Sequence, residues 1–192
     1  KSMMLRYLEP DCQCLKHSVS ISQLPFIAVY IPLKNTNFSL AELKRFDNKH
    51  ASAVLNEHLM ITHCLLKVFT NIKKCIGTDD IPREGIIKFY NNSFIPILGL
   101  NSENVLEISK TDEIFDIIIK QLNDVYRQIM NYIKKSAFVS EILVYDGLLY
   151  DYNDYFVPVI EALISAISKN SATMYLLLDD AHFLSDIQTK IL

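Results

Sequence analysis

Apolar positions follow two different patterns along this chain, and the difference sorts its elements. Residues 24–33 and 172–178 are apolar almost without interruption. Runs of this length, rich in β-branched and aromatic residues, suit strands buried on both faces of a parallel sheet. Pro25 and Pro32 punctuate the first run. Elsewhere the apolar residues recur at steps of three or four. Leu55, Leu59, Thr62, Leu66, Phe69, Ile72 and Ile76 predict a helix over 51–76, with Lys73 and Lys74 at its negative end and Gly77 as a C-cap. Phe115, Ile118, Leu122, Val125, Ile129 and Tyr132 predict a second helix over 111–135, with Thr111 capping it and Asp112 and Glu113 in its first turn.

Shorter elements fill the intervals. Residues 1–8 read as a short amphipathic helix with Met4, Leu5 and Leu8 on one side, closed by Pro10. Residues 11–23 are polar and read as a connection. Residues 78–101 are loop-rich, with a short helix over 84–90, and 137–150 are ambiguous between strand and helix. The tyrosine and acid patch at 150–155 reads as a surface loop. Pro158 suits the first turn of a helix running to about 169. Asn170 and Ser171 then turn the chain into the second apolar run, and 185–192 begin another helix. The fold class is α/β and helix-rich: one domain over 1–192, with a helical insertion at about 51–136 between the core strands and no internal repeat.

Composition adds boundaries. A chain of 192 residues, 50% of them hydrophobic, supports one sizeable core. A net charge of −3 carries no global signature of nucleic-acid binding. No apolar run approaches the roughly 20 residues that span a bilayer, so no membrane partner is expected. Without a signal-peptide pattern the cytoplasm is the default location. Cys12, Cys14, Cys64 and Cys75 lack zinc-site spacing and read as reduced thiols. His58 and His63, five apart, read as core or surface histidines. The chain starts at Lys1 without methionine and stops at Leu192 within an apolar pattern, so it is expected to be a piece of something longer.

The second apolar run ends in two adjacent carboxylates, Asp179 and Asp180. Ligands gather at the carboxyl ends of parallel strands, and paired acids there call for a cation. This is the form of a Walker B strand. Its usual companion is GxxxxGK[ST] at the start of a helix. No such glycine-rich loop occurs here, but Lys1-Ser2 open the chain directly before an apolar helix. The expectation is that the chain begins inside that loop. Lys1 would then reach the β- and γ-phosphates of ATP, and the Ser2 hydroxyl would ligate Mg²⁺. Asp179 would hold Mg²⁺ through water, and Asp180 would act catalytically by orienting the attacking water. An aspartate reaches less far than a glutamate, which favours slow or switch-like turnover. His182 is placed equally well near the γ-phosphate or at a helix start. The competing reading makes Lys1-Ser2 accidental and one of the aspartates a helix N-cap.

Residues 1–8 resemble the end of a Walker A motif and its following helix in P-loop ATPases of the AAA+/STAND group, closest to bacterial Orc/Cdc6-like ATPases. Residues 26–33, and the helix carrying Asn56, Glu57, His58 and Leu59, resemble the segments that follow. Residues 176–184 resemble the Walker B strand and its turn. The resemblance implies a parallel P-loop NTPase-type sheet flanked by helices, with ATP and Mg²⁺ as cofactors. It also implies hydrolysis in the intact protein, driving conformational or assembly change, with a homo-oligomer, nucleic acid or another protein as partner, and a link to defence signalling in some members. The glycine loop is missing, and sensor and arginine-finger elements would fall after Leu192, so this stretch alone is not expected to hydrolyse ATP. Two alternatives stay open: a non-catalytic helical interaction module and a non-hydrolysing nucleotide sensor.

Overall fold

The computed structural model describes residues 2–33, 49–76, 81, 83–106, 108, 110–136, 144–168 and 172–180. Helix α1 (Ser2–Arg6) and helix α2 (Pro10–His17) lead through a 3₁₀ turn at Ile21–Gln23 into strand β1 (Phe26–Pro32). Helix α3 (Lys49–Lys73), α4 (Arg83–Phe89), a π-helical turn (Tyr90–Phe94), α5 (Ile95–Leu98) and α6 (Thr111–Ser136) follow. A second π-helical turn (Tyr152–Phe156) feeds α7 (Val157–Ile167), and strand β2 (Thr173–Asp179) closes the order. The result is helix-rich α/β. Among the described residues the sheet has two parallel strands, in a register that sets Phe26 beside Thr173 and Pro32 beside Asp179. Two strands do not by themselves amount to a P-loop sheet.

Strand alternation divides β1 between two layers. Ile27, Val29 and Ile31 join the main core with α3, while Ala28 and Tyr30 point to the opposite face, where α1 and α2 lie against the strand. Met174, Leu176 and Leu178 of β2 lean on the same core. Helix α3 is the hub. Its Phe69 sits among Phe89, Phe94 and Phe115 at ring separations of 5.5–6.0 Å. The α6 stripe from Ile114 to Ile133 is buried at helical spacing, as its periodicity predicts. Lys73 of α3 pairs with Asp116 of α6 at the rim. Gly99, at φ +59°, caps α5 in the left-handed conformation, and a Cβ there would meet the Leu148 side chain.

Several expectations need correction. Pro10 does not simply end a helix: it opens α2 at the first helical position, where its missing N–H costs nothing and its fixed φ is already helical. The polar connection over 11–23 is therefore largely helix and 3₁₀ turn. Met4 is 76% exposed, so Met4, Leu5 and Leu8 do not form one buried side. Strand β2 is not buried on both faces. Thr173 and Tyr175 are exposed, whereas Ala28 and Tyr30 on the same face of β1, where α1 and α2 lie, are buried. Tyr150 is buried rather than part of a surface loop. Its hydroxyl donates to the Leu98 carbonyl at 2.9 Å, and its N–H donates to His58 Nδ1 at 2.8 Å. Lys1, Gly77, Asn170, Ser171, His182 and the helix expected over 185–192 lie outside the described residues.

Candidate functional site

The site builds from the carboxyl end of the sheet. The apolar run of β2 keeps its extended form up to Asp179, and the chain then turns at Asp180, whose φ of +59° lies in the left-handed region. Aspartate tolerates that region better than most residues with a Cβ, yet such a conformation persists only where its surroundings hold it. One such hold is local: the Asp180 N–H donates to Asp179 Oδ1 at 3.0 Å. A second spans the sheet, where the Tyr30 hydroxyl donates to Asp179 Oδ2 at 2.8 Å. Both residues are buried, at 7% exposure for Tyr30 and 9% for Asp179. A buried carboxylate is costly unless donors satisfy it, and two donors meet that demand here. The Leu33 N–H, just past β1, also donates to the Asp179 carbonyl at 3.1 Å. Side chain and main chain of Asp179 are thus both tied to β1.

Helix α1 reaches the same point from the other side. Arg6, in its last turn, sets its guanidinium carbon 5.2 Å from the centre of the Tyr30 ring. Such a contact is worth about 0.5–1 kcal/mol at an exposed position. Glu9, buried ahead of α2, lies against the Tyr30 backbone, and burial raises its carboxyl above the usual range, with Lys74 opposing the rise. Tyr30 is therefore the residue on which α1, the start of α2 and the end of β2 converge.

Of the residues expected at a site, Ser2 opens α1, while Asp179 closes β2 and Asp180 follows it. The two ends are joined through Arg6, Tyr30 and Asp179. Lys1, like His182, lies outside the described residues. Sequence reasoning missed Tyr30, Arg6 and Glu9. The one signal for Tyr30 was a hydroxyl inside an otherwise apolar strand, two residues before its end.

The donor set fits a hard cation. Asp179 and Asp180 offer carboxylate oxygens, the ligands Mg²⁺ prefers, and Mg²⁺ is commonly held by one or two carboxylates together with water and phosphate oxygens. Among the described residues no group of three or more His, Cys, Asp or Glu side chains is placed to hold a metal. Nor is any helix among them long and apolar enough to cross a membrane.

No curated protein and no solved structure matches this chain. A family model described as ORC-CDC6-like matches residues 1–192. That match covers the whole sequence, from the residues opening α1 through the paired aspartates that end β2, and the chain belongs to the ORC-CDC6-like family.

Proposed function

We propose that this chain is part of an ATP-binding core of the P-loop type, with Mg²⁺ as its metal. In this reading Lys1 and Ser2 meet the phosphates, Ser2 and Asp179 hold the cation, and Asp180 orients the attacking water. The observation that carries it is the placement of Asp179 and Asp180 at the carboxyl end of β2, in parallel register with a strand against which α1 packs. Ligands of parallel sheets collect outside that end. Membership of the ORC-CDC6-like family supports nucleotide binding of the ATPase type. When bound, Mg²⁺ would neutralise charge developing on the phosphates. The chain's own residues would fix the metal's carboxylate and present Asp180 beside it. The domain reading, one unit over 1–192 with a helical insertion at about 51–136, belongs to the same proposal. So do nucleotide-driven assembly and a nucleic-acid or protein partner.

The helical-module alternative finds less support, because α3 and α6 direct their apolar stripes into the common core. Isothermal titration of the whole natural polypeptide with ATP and MgCl₂ tests the proposal. Wild type is expected to bind, and Asp179→Ala to weaken Mg-ATP by roughly tenfold or more. Absence of binding by wild type would refute it. Asp180→Ala should keep binding and lose phosphate release.

A further inference from the structure

We propose that Tyr30 is a positioning residue for the metal carboxylate, and that it ties the placement of Asp179 to helix α1. This inference rests on the ATP and Mg²⁺ reading above and names a residue that the motif pattern does not contain. Its basis is geometric. The phenol oxygen lies 2.8 Å from Asp179 Oδ2 in a buried contact that joins residues 149 positions apart. Asp180 N–H occupies the other oxygen at 3.0 Å, so the carboxylate is gripped at both ends and its rotation is fixed. The ring is itself held. Its backbone lies against buried Glu9, and its face carries the Arg6 guanidinium at 5.2 Å.

A carboxylate that ligates a cation, directly or through water, gains from partners that fix its orientation before the cation arrives. Loss of such a partner characteristically weakens metal binding by about 10- to 100-fold. A phenol O–H donated to one carboxylate oxygen at this distance is an ordinary, well-formed hydrogen bond, and each oxygen keeps a second acceptor position. Arg6 gives the contact a second role. A shift of α1, whose first residue Ser2 stands at the proposed phosphate end, moves the cation over the ring, and the ring moves the carboxylate. Phosphate end and metal end would then respond to one another through a single side chain.

The test uses Mn²⁺ as a paramagnetic stand-in, titrated into the whole natural polypeptide with saturating ATP and read by the electron paramagnetic resonance of free Mn²⁺. Tyr30→Phe removes the hydroxyl and keeps the ring. It should raise the Mn²⁺ Kd about tenfold, while ATP affinity without metal stays within about twofold of wild type. Because Tyr30 acts through Asp179, the same substitution in an Asp179→Ala background should change Mn²⁺ binding no further. A merely structural role would weaken both backgrounds alike, and that result overturns the assignment. So does an unchanged Kd in Tyr30→Phe. If that variant does not fold, Arg6→Ala, at an exposed position, makes the test alone: about a twofold loss is expected, and no loss overturns it. Wild type binding no ATP would remove the nucleotide reading and this inference together. Wild type binding ATP and Mn²⁺ with Tyr30→Phe unaffected removes only the inference.

Discussion

Lowering the pH from 7 to 4 should destabilise this fold through His58, by an amount that two hydrogen bonds and one burial fix. The Tyr150 N–H donates to His58 Nδ1 at 2.8 Å, so Nδ1 must keep its lone pair. The ring proton then sits on Nε2, which donates to the Tyr145 hydroxyl at 3.1 Å. The side chain is 0% exposed, and burial lowers its pKa from 6.5 to about 4. Protonating Nδ1 would set one N–H against another where water cannot intervene. The unfolded chain takes up its proton near pH 6.5, whereas the folded chain resists until about pH 4. Stability is therefore full above pH 6.5, falls as the pH drops through that window, and levels off below it. At about 1.4 kcal/mol per unit the loss reaches about 1 kcal/mol at pH 5.5 and about 3 kcal/mol at pH 4. His63, lowered to about 4 mainly by burial and further by Lys67, titrates over the same range, so the wild-type slope contains both. His58→Asn separates them: its carbonyl can still accept from Tyr150, but it does not titrate. Urea unfolding followed by circular dichroism at pH 7.5, 6.5, 5.5 and 4.5 supplies the comparison. The variant should be the less stable at pH 7.5, and the gap should narrow by about 2 kcal/mol at pH 4.5. A gap that stays constant with pH would refute the assignment of that proton to His58.

Two further outcomes are expected. Phe69→Ala empties the centre of the aromatic cluster formed with Phe89, Phe94 and Phe115, and should cost about 3–5 kcal/mol, read as a fall in Tm of roughly 10 °C or more. The thiols of Cys64 and Cys75 are pushed up to about 12 by burial, so at pH 8 only about one in ten thousand is thiolate. Ellman's reagent should therefore leave both unlabelled on the minutes scale in the native protein and label them at once in urea; fast native labelling of Cys64 would contradict the packing of α3.

Helices α3, α6 and α7 and strand β1 were legible because each carries its own periodicity over many residues, and their observed limits fall within two or three residues of those predicted. What escaped depends on contacts distant in sequence. Nothing local shows that Tyr150 is buried: the segment reads as polar until His58 and Leu98, 92 and 52 residues away, bind its backbone and its hydroxyl. Helix α2 escaped for a different reason. Proline stops a helix from within but starts one at the first position, and the same residue supports either reading until the next turn is seen. The run before Asp179 marks a strand correctly, but apolarity alone does not say how many layers cover it. Tyr175 at 52% exposure shows that one face lacks a cover among the described residues.

The candidate site divides along the same line. Asp179 and Asp180 could be read directly, since two acids ending an apolar run are a one-dimensional signal. Tyr30 could not, because its relation to Asp179 exists only through register. Side chains alternate along each strand, so with Pro32 beside Asp179 the Tyr30 phenol and the carboxylate share a face. A slip of one position would put Asp179 on the α3 side, opposite the phenol, and leave the aspartate without its hydroxyl donor. That dependence works in both directions. The Tyr30–Asp179 bond rewards the observed register, because a slip of one position buries the carboxylate without its hydroxyl donor. The pair that positions the proposed metal ligand thus also fixes how the two strands meet. A phenol two residues before the end of one parallel strand and an aspartate at the end of its neighbour make a pattern that can be read from sequence once the pairing is known.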